Sequence, residues 1–382
     1  MNSVLDRLAI ELPSWAFGNS GTRFKVFGSP GTARTVEEKI ADAAMVHRMT
    51  GLAPTVALHI PWDTVDDYAA LSAYAQDHGV TLGTINSNTF QDDAYKFGSL
   101  THTDKAVRQK AIDHHLHCIE VMNQTGSRDL KVWLADGTNY PGQGDIRGRQ
   151  ERLAESLAAI YQHIGPSQRM VLEYKFFEPA MYMTDVPDWG TSYAHVTALG
   201  ERALVCLDTG HHAPGTNIEF IVAQLLRLGR LGSFDFNSRF YADDDLIVGA
   251  ADPFQLFRIM FEVLRGGGLD PGSGLALMLD QCHNIEAKIP GQIRSVLNVQ
   301  EMTARALLVD TDALAAAQES ADVLGANAIF MDAFYTDVRP RLAQWRTERG
   351  LPADPMAAFA GSGYQETINA DRVGGTQSSW GA

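Results

Sequence analysis

Seven residues have the types and spacing to do chemistry together: Glu173, Asp208, His211, Asp235, Asp243, Asp245 and Asp280. Four of the acids close short apolar runs, V-L-E, L-V-C-L-D, L-G-S-F-D and L-A-L-M-L-D. One carboxylate at the end of each of several strands is how a barrel gathers hard oxygen ligands at one mouth. Six acids and one imidazole would repel one another if left bare, so the pattern calls for cations. It implies a site for two divalent metals.

The ligand types divide into two sets. Mg²⁺ and Mn²⁺ prefer carboxylate oxygens in octahedral sites and accept an imidazole. Glu173, Asp208, Asp235 and Asp280, from four successive strands, can surround one ion. Asp208 can bridge to a second ion held with His211, three residues later, and with Asp243 and Asp245, whose i, i+2 spacing lets both face one ion. Taken alone, Asp243-Asp244-Asp245 is the pattern of a solvated acidic loop, and a single strand-end Asp is usually a cap or turn residue. The joint pattern is not explained that way. His59 ends the run T-V-A-L-H-I, where it could act as an acid or base toward a substrate oxygen. Lys175 shares a face with Glu173 and would hold a substrate oxygen or a metal-bound water, or pair with the acids. His114, His115 and His117 read as a solvated helix face.

Eight strands are expected to position these groups, near 11–17, 55–60, 81–87, 130–135, 169–175, 203–209, 231–237 and 275–281. The first carries Pro13 inside it. Helical patterns lie between them. Asp252-Pro253 caps one, and Phe254, Phe257, Phe261 and Leu264 recur at helical spacing until Gly266-Gly267-Gly268 stops it. Alternating strands and helices allow a closed barrel or a doubly wound sheet. Convergence of ligands from four strands selects the α/β class with a (β/α)8 barrel. The barrel is expected over residues 1–310, with a helical extension and tail over 311–382 making oligomer contacts.

The chain has 382 residues, with 45% apolar residues and a net charge of −15, which argues against nucleic acid and anionic membranes as partners. Two divalent ions would offset four of those charges. Cys118, Cys206 and Cys282 fit neither a disulfide framework nor a zinc cage and suit a reducing cytoplasm. No signal peptide and no apolar run of membrane-spanning length is expected.

Longer strings point further. S-W-A-F-G-N-S-G-T-R-F, L-H-I-P-W-D, I-N-S-N-T-F-Q-D-D, L-D-T-G-H-H-A-P-G-T-N-I-E, F-N-S-R-F-Y-A-D-D-D-L and L-D-Q-C-H-N resemble the xylose isomerase-like barrel superfamily. More closely, they resemble the L-rhamnose isomerases of the broad-specificity bacterial type. The resemblance implies a metal-dependent aldose–ketose isomerase, L-rhamnose to L-rhamnulose, binding two divalent ions per subunit, usually Mn²⁺ with Mg²⁺ or Co²⁺ serving. It implies that Trp15 and Trp62 wall a monosaccharide site with His59 and Lys175, that His59 helps ring opening, and that Phe24 reaches a neighbouring subunit's pocket within a homotetramer. The expected catalytic set is His59, Lys175, His211 and Asp280. One departure stands out: close relatives carry His where this chain has Asp235, an extra negative charge expected to shift metal preference toward Mg²⁺ or Mn²⁺. Competing readings are an isomerase of another aldose such as D-xylose or L-lyxose, a ketose epimerase with two glutamates across the substrate, a histidine-rich zinc phosphodiesterase, and a sugar-binding barrel without catalysis. The two full ligand sets favour the isomerase.

Overall fold

The computed structural model describes residues 1–19 and 26–372. Ten strands run in chain order: β1 (Ile10–Pro13), β2 (Thr55–Ile60), β3 (Thr81–Ser87), β4 (Asp129–Val132), β5 (Gly137–Thr138), β6 (Arg169–Glu173), β7 (Met183–Thr184), β8 (Ala203–Asp208), β9 (Leu231–Phe236) and β10 (Ala276–Leu279). Eight of them close a parallel barrel in the order β1-β2-β3-β4-β6-β8-β9-β10, and β10 pairs back onto β1. This is the expected (β/α)8 architecture, with every expected strand in place. β5 and β7 form a small antiparallel ribbon between the loops that leave β4 and β6.

The first strand is shorter than the expected 11–17. After Pro13 the chain turns into a 3-10 helix, Ser14–Phe17. Proline has no N–H to extend a ladder, and the turn places Trp15 beside the mouth. β4 likewise stops at Val132.

Side-chain parity divides each strand between the barrel lumen and the helical layer. On β9, Phe234 and Phe236 are fully buried and stack with centroids 4.6 Å apart. Asp235 between them faces inward, where Lys131 of β4 meets it from across the lumen. Helices begin at side-chain caps: Asp104 accepts from Ala106, Asp188 from Thr191 and Asp252 from Gln255, each satisfying a first-turn N–H.

After Asp310 the chain forms five helices that fold back on the barrel. Phe330 packs edge-on against Phe254, Phe257 and Phe261, and Phe334 meets Phe254 edge-on and Phe257 at a tilt. Arg372 reaches the buried Asp42 at 2.7 and 3.0 Å, and Tyr364 donates to the same carboxylate at 2.9 Å. Among the described residues no helix is long and apolar enough to cross a membrane.

Candidate metal centre at the barrel mouth

The expected acids converge. Glu173 and Asp208 are the last residues of β6 and β8, Asp235 is the penultimate residue of β9, and Asp280 follows β10 directly. These strands are neighbours in the barrel, so their ends share one rim. Glu173, Asp208, His211, Asp235 and Asp245 are buried, whereas Asp243 and Asp280 are half-buried. Ligand atoms of Glu173, Asp208 and His211 lie within 4.8 Å of one another, as do those of Asp208, Asp235 and Asp280, and of Glu173, Cys206 and Asp235. Asp208 belongs to two of these groups. The donors are hard oxygens with one imidazole, which fits a divalent cation.

Local bonding orients the ligands. His211 Nδ1 lies 3.0 Å from the Tyr174 carbonyl, and a proton donated there leaves Nε2 free to ligate. Nε2 is 3.4 Å from Asp243 and 4.0 Å from Asp208. The Asn237 amide donates to both oxygens of Asp208 and to Asp245. Gly210 permits this packing, because a Cβ there would stand 2.6 Å from the Asn237 side chain and 3.0 Å from Asp243. Asp245 has φ +48°, a left-handed conformation that Asp tolerates better than most residues. Its carbonyl accepts from the N–H groups of Cys282 and His283, tying the loop to the segment after β10. Asp243 Oδ1 is buried without a hydrogen-bond partner among the described residues, as suits an oxygen reserved for a cation.

The charges are strongly coupled. Burial, with Asp243 and Glu173 as like charges, pushes Asp208 up to about 6 against the pull of His211. Burial and neighbouring carboxylates push Asp245 and Asp280 well above the usual range. His211 is driven up by Asp208 and Asp243 although burial opposes it. Asp243 is held low despite burial, because Lys175 and His211 face it. Lys175 Nζ lies 2.6 Å from Asp243, the ion pair that was one of its two expected roles.

Glu173, Asp235, Asp243, Asp245 and Asp280 line a cavity of about 620 Å³, with Asp208 behind them. His59 lines it, stacked on Trp62 at 3.7 Å and edge-on to Trp15 at 5.4 Å. Trp15 Nε1 donates to Asp280 at 2.8 Å, joining the aromatic wall to the acids. Burial holds His59 well below its usual value, so it is a neutral imidazole, and its Nδ1 is buried without a hydrogen-bond partner among the described residues. Behind it, Asp63 accepts from the His59 N–H at 2.8 Å, from Lys39 at 2.6 Å and from Ser14 at 2.5 Å. Phe24 lies outside the described residues.

Two expectations need correction. His115 is no part of a solvated face: it is fully buried, bonding Ser87 at the end of β3, and His114 is half-buried against the Asn88 N–H. The helix presents them inward because the β3 end offers polar partners there. Nor is the charge of Asp235 an uncompensated extra, because Lys131 forms a buried ion pair with it. Burial, with Glu173 and Asp208, pushes Asp235 up, and Lys131 opposes this; the ammonium itself stays charged, held by Asp235 against its own burial. Sequence reasoning also missed Trp133 and Phe90, which line the same cavity. The signal for Lys131 was a lone lysine inside the apolar run L-K-V-W-L, with Trp133 two residues on and thus on the same face. With all six carboxylates ionised, the two ammonium groups leave four formal negative charges for bound cations to offset.

Residues 46–281 match the xylose isomerase-like TIM barrel family. A protein of Rhizobium meliloti (strain 1021) named a probable sugar isomerase is 43% identical, over 95% of this chain and 86% of its own length. An L-rhamnose isomerase of Rhodopirellula baltica is 25% identical, over 65% of this chain and 62% of its own length. Among solved structures, an L-ribulose 3-epimerase shares the fold with a TM-score of 0.57 at 15% identity, covering 79% of this chain and 97% of that one.

Proposed function

This chain belongs to the xylose isomerase-like TIM barrel family, and on that premise we propose that it is a metal-dependent aldose–ketose isomerase. Its preferred conversion is L-rhamnose to L-rhamnulose, with other aldoses accepted. One observation carries this: two ligand groups share Asp208, one adding Glu173 and His211 and the other Asp235 and Asp280, and these partners line a cavity large enough for a monosaccharide. Glu173, Asp208, Asp235 and Asp280 would hold one divalent ion, and Asp208, His211, Asp243 and Asp245 the other, with Mn²⁺ the preferred metal. Bound there, the ions would supply Lewis acidity toward neighbouring sugar oxygens for the transfer of hydrogen between carbons 1 and 2.

The protein's own groups do the rest. Neutral His59 gives or takes a proton at the ring oxygen during ring opening, and Trp62 and Trp15 fix its plane. The Lys175 ammonium holds a substrate oxygen near Asp243. Asp280, held by Trp15, and His211, held by the Tyr174 carbonyl, face the same space. Phe90 and Trp133 exclude water from one wall. A cytoplasmic homotetramer in which Phe24 completes a neighbour's pocket belongs to the same proposal.

Ketose epimerisation is the second reading, because Glu178 lines the cavity along with Glu173 and could supply a second glutamate. Chelator-stripped protein given Mn²⁺ and then L-rhamnose, D-allose, D-xylose or L-lyxose tests both by proton NMR. Metal-dependent ketose formation supports the isomerase. Conversion between ketoses alone transfers the assignment to the epimerase, and inertness toward every sugar overturns both.

A further inference from the structure

Lys131 stands where a lysine is expensive. It is the third residue of β4, buried inside the barrel, with only a few per cent of its surface exposed. An ammonium at such a depth is held only if a partner neutralises it. That partner is Asp235, which comes from β9, separated from β4 by two intervening strands around the barrel, so the pair crosses the lumen. Nζ also lies 3.8 Å from the Met278 sulfur, which offers little to a cation, and Glu173 adds a more distant negative charge. Asp235 meanwhile keeps an oxygen within 4.8 Å of ligand atoms from Asp208 and Asp280. One carboxylate would therefore serve two cations, the ammonium that is already there and a divalent ion that binds the same acids.

We propose that Lys131 is a resident counter-ion of the inner metal group, a positioning residue that fixes Asp235, lets the acidic lumen fold without metal, and weakens the divalent ion's hold there. The inference rests on the metal-dependent reading above. Without Lys131, Asp235 would add its full charge to Glu173, Asp208 and Asp280. The metal-free barrel would then suffer more repulsion, and a divalent ion would gain more by entering. A lysine serving the substrate instead would not alter metal affinity, because its effect would first appear when sugar binds.

The experiment is Mn²⁺ titration of the chelator-stripped full chain by calorimetry, with thermal melts with and without Mn²⁺. For Lys131→Met, one of the Mn²⁺ sites should tighten roughly tenfold or more. The metal-free melting temperature should fall, and the rise on adding Mn²⁺ should grow. The double variant Lys131→Met/Asp235→Asn, in which neither charge is left alone, should recover most of the metal-free melting temperature, which keeps the test open even if the single variant is too unstable to titrate. The inference is overturned if Lys131→Met binds Mn²⁺ within twofold of wild type or more weakly, if only the KM for sugar changes, or if the double variant is no more stable than the single one. Failure of the wild-type chain to bind Mn²⁺ at all overturns the metal reading, and this inference with it.

Discussion

The Asn237 side-chain amide donates to both oxygens of Asp208, at 3.0 and 3.1 Å, and to Asp245 at 3.2 Å. It thus spaces a carboxylate shared by two ligand groups from one on the loop after β9. Groups that orient metal ligands typically contribute 10- to 100-fold in affinity, roughly the effect expected here. Asn237→Ala should weaken Mn²⁺ binding by about that factor while leaving the aromatic wall intact. An unchanged Kd by calorimetry would show that Asp208 is positioned by its strand alone.

Arg372 and Asp42 clamp the end of the helical extension to the barrel, both nearly inaccessible to solvent. Removing one partner of a buried pair leaves the other uncompensated, which typically costs about 3–5 kcal/mol. Arg372→Ala should lower the urea midpoint accordingly, with Mn²⁺ affinity unaffected. A midpoint shift under about 1 kcal/mol equivalent would mean that solvent reaches Asp42 freely.

The barrel and its acidic rim were legible because they depend on local signals. Strand-end carboxylates announce themselves by position, and alternation along β6 and β9 decides which face each takes. The Lys131–Asp235 pair was not legible, since its members lie 104 residues apart and meet only when the lumen closes. His115 was misread for a related reason. A run of histidines looks solvated in one dimension, and only the packing of its helix on β3 supplies Ser87 as a partner. Asp63 was visible in the string L-H-I-P-W-D, but its support of the His59 backbone emerges only from the turn that follows β2.

His59 is the group expected to move a proton without touching the metal ligands. Its ring is held between Trp62 and Trp15 by stacking, which a phenyl ring would preserve. General acid–base groups contribute about 10²–10⁴-fold to rate. His59→Phe should therefore lower kcat on a cyclic aldose by about that range, with Mn²⁺ affinity and melting temperature close to wild type. An undiminished kcat would remove His59 from the chemistry and leave it as part of the wall.

Metal affinity should depend on pH through Asp208, whose carboxyl is raised to about 6 in the metal-free barrel by burial and by Asp243 and Glu173. The sign follows from linkage. A folded-state value above the unfolded one means that the metal-free protein gains stability from this group as pH falls through about 6, and loses it as pH rises. A divalent ion needs the ionised form, so protons and metal compete. Buried neutral histidines act in the opposite sense: His115 and His212 lie near 3, lowered chiefly by burial, and must charge on unfolding in acid. They do so with or without metal, so they cancel in the difference between the two melts. The Mn²⁺-induced rise in melting temperature should therefore be largest near pH 7.5 and shrink below pH 6, with Kd weakening at least tenfold between pH 6 and 5, because Asp245, Asp280 and His211, all raised as well, add competing protons to that of Asp208. Parallel melts with chelator and with Mn²⁺ across pH 5–8 check this, and an increment independent of pH would show that Asp208 is already ionised before the metal arrives.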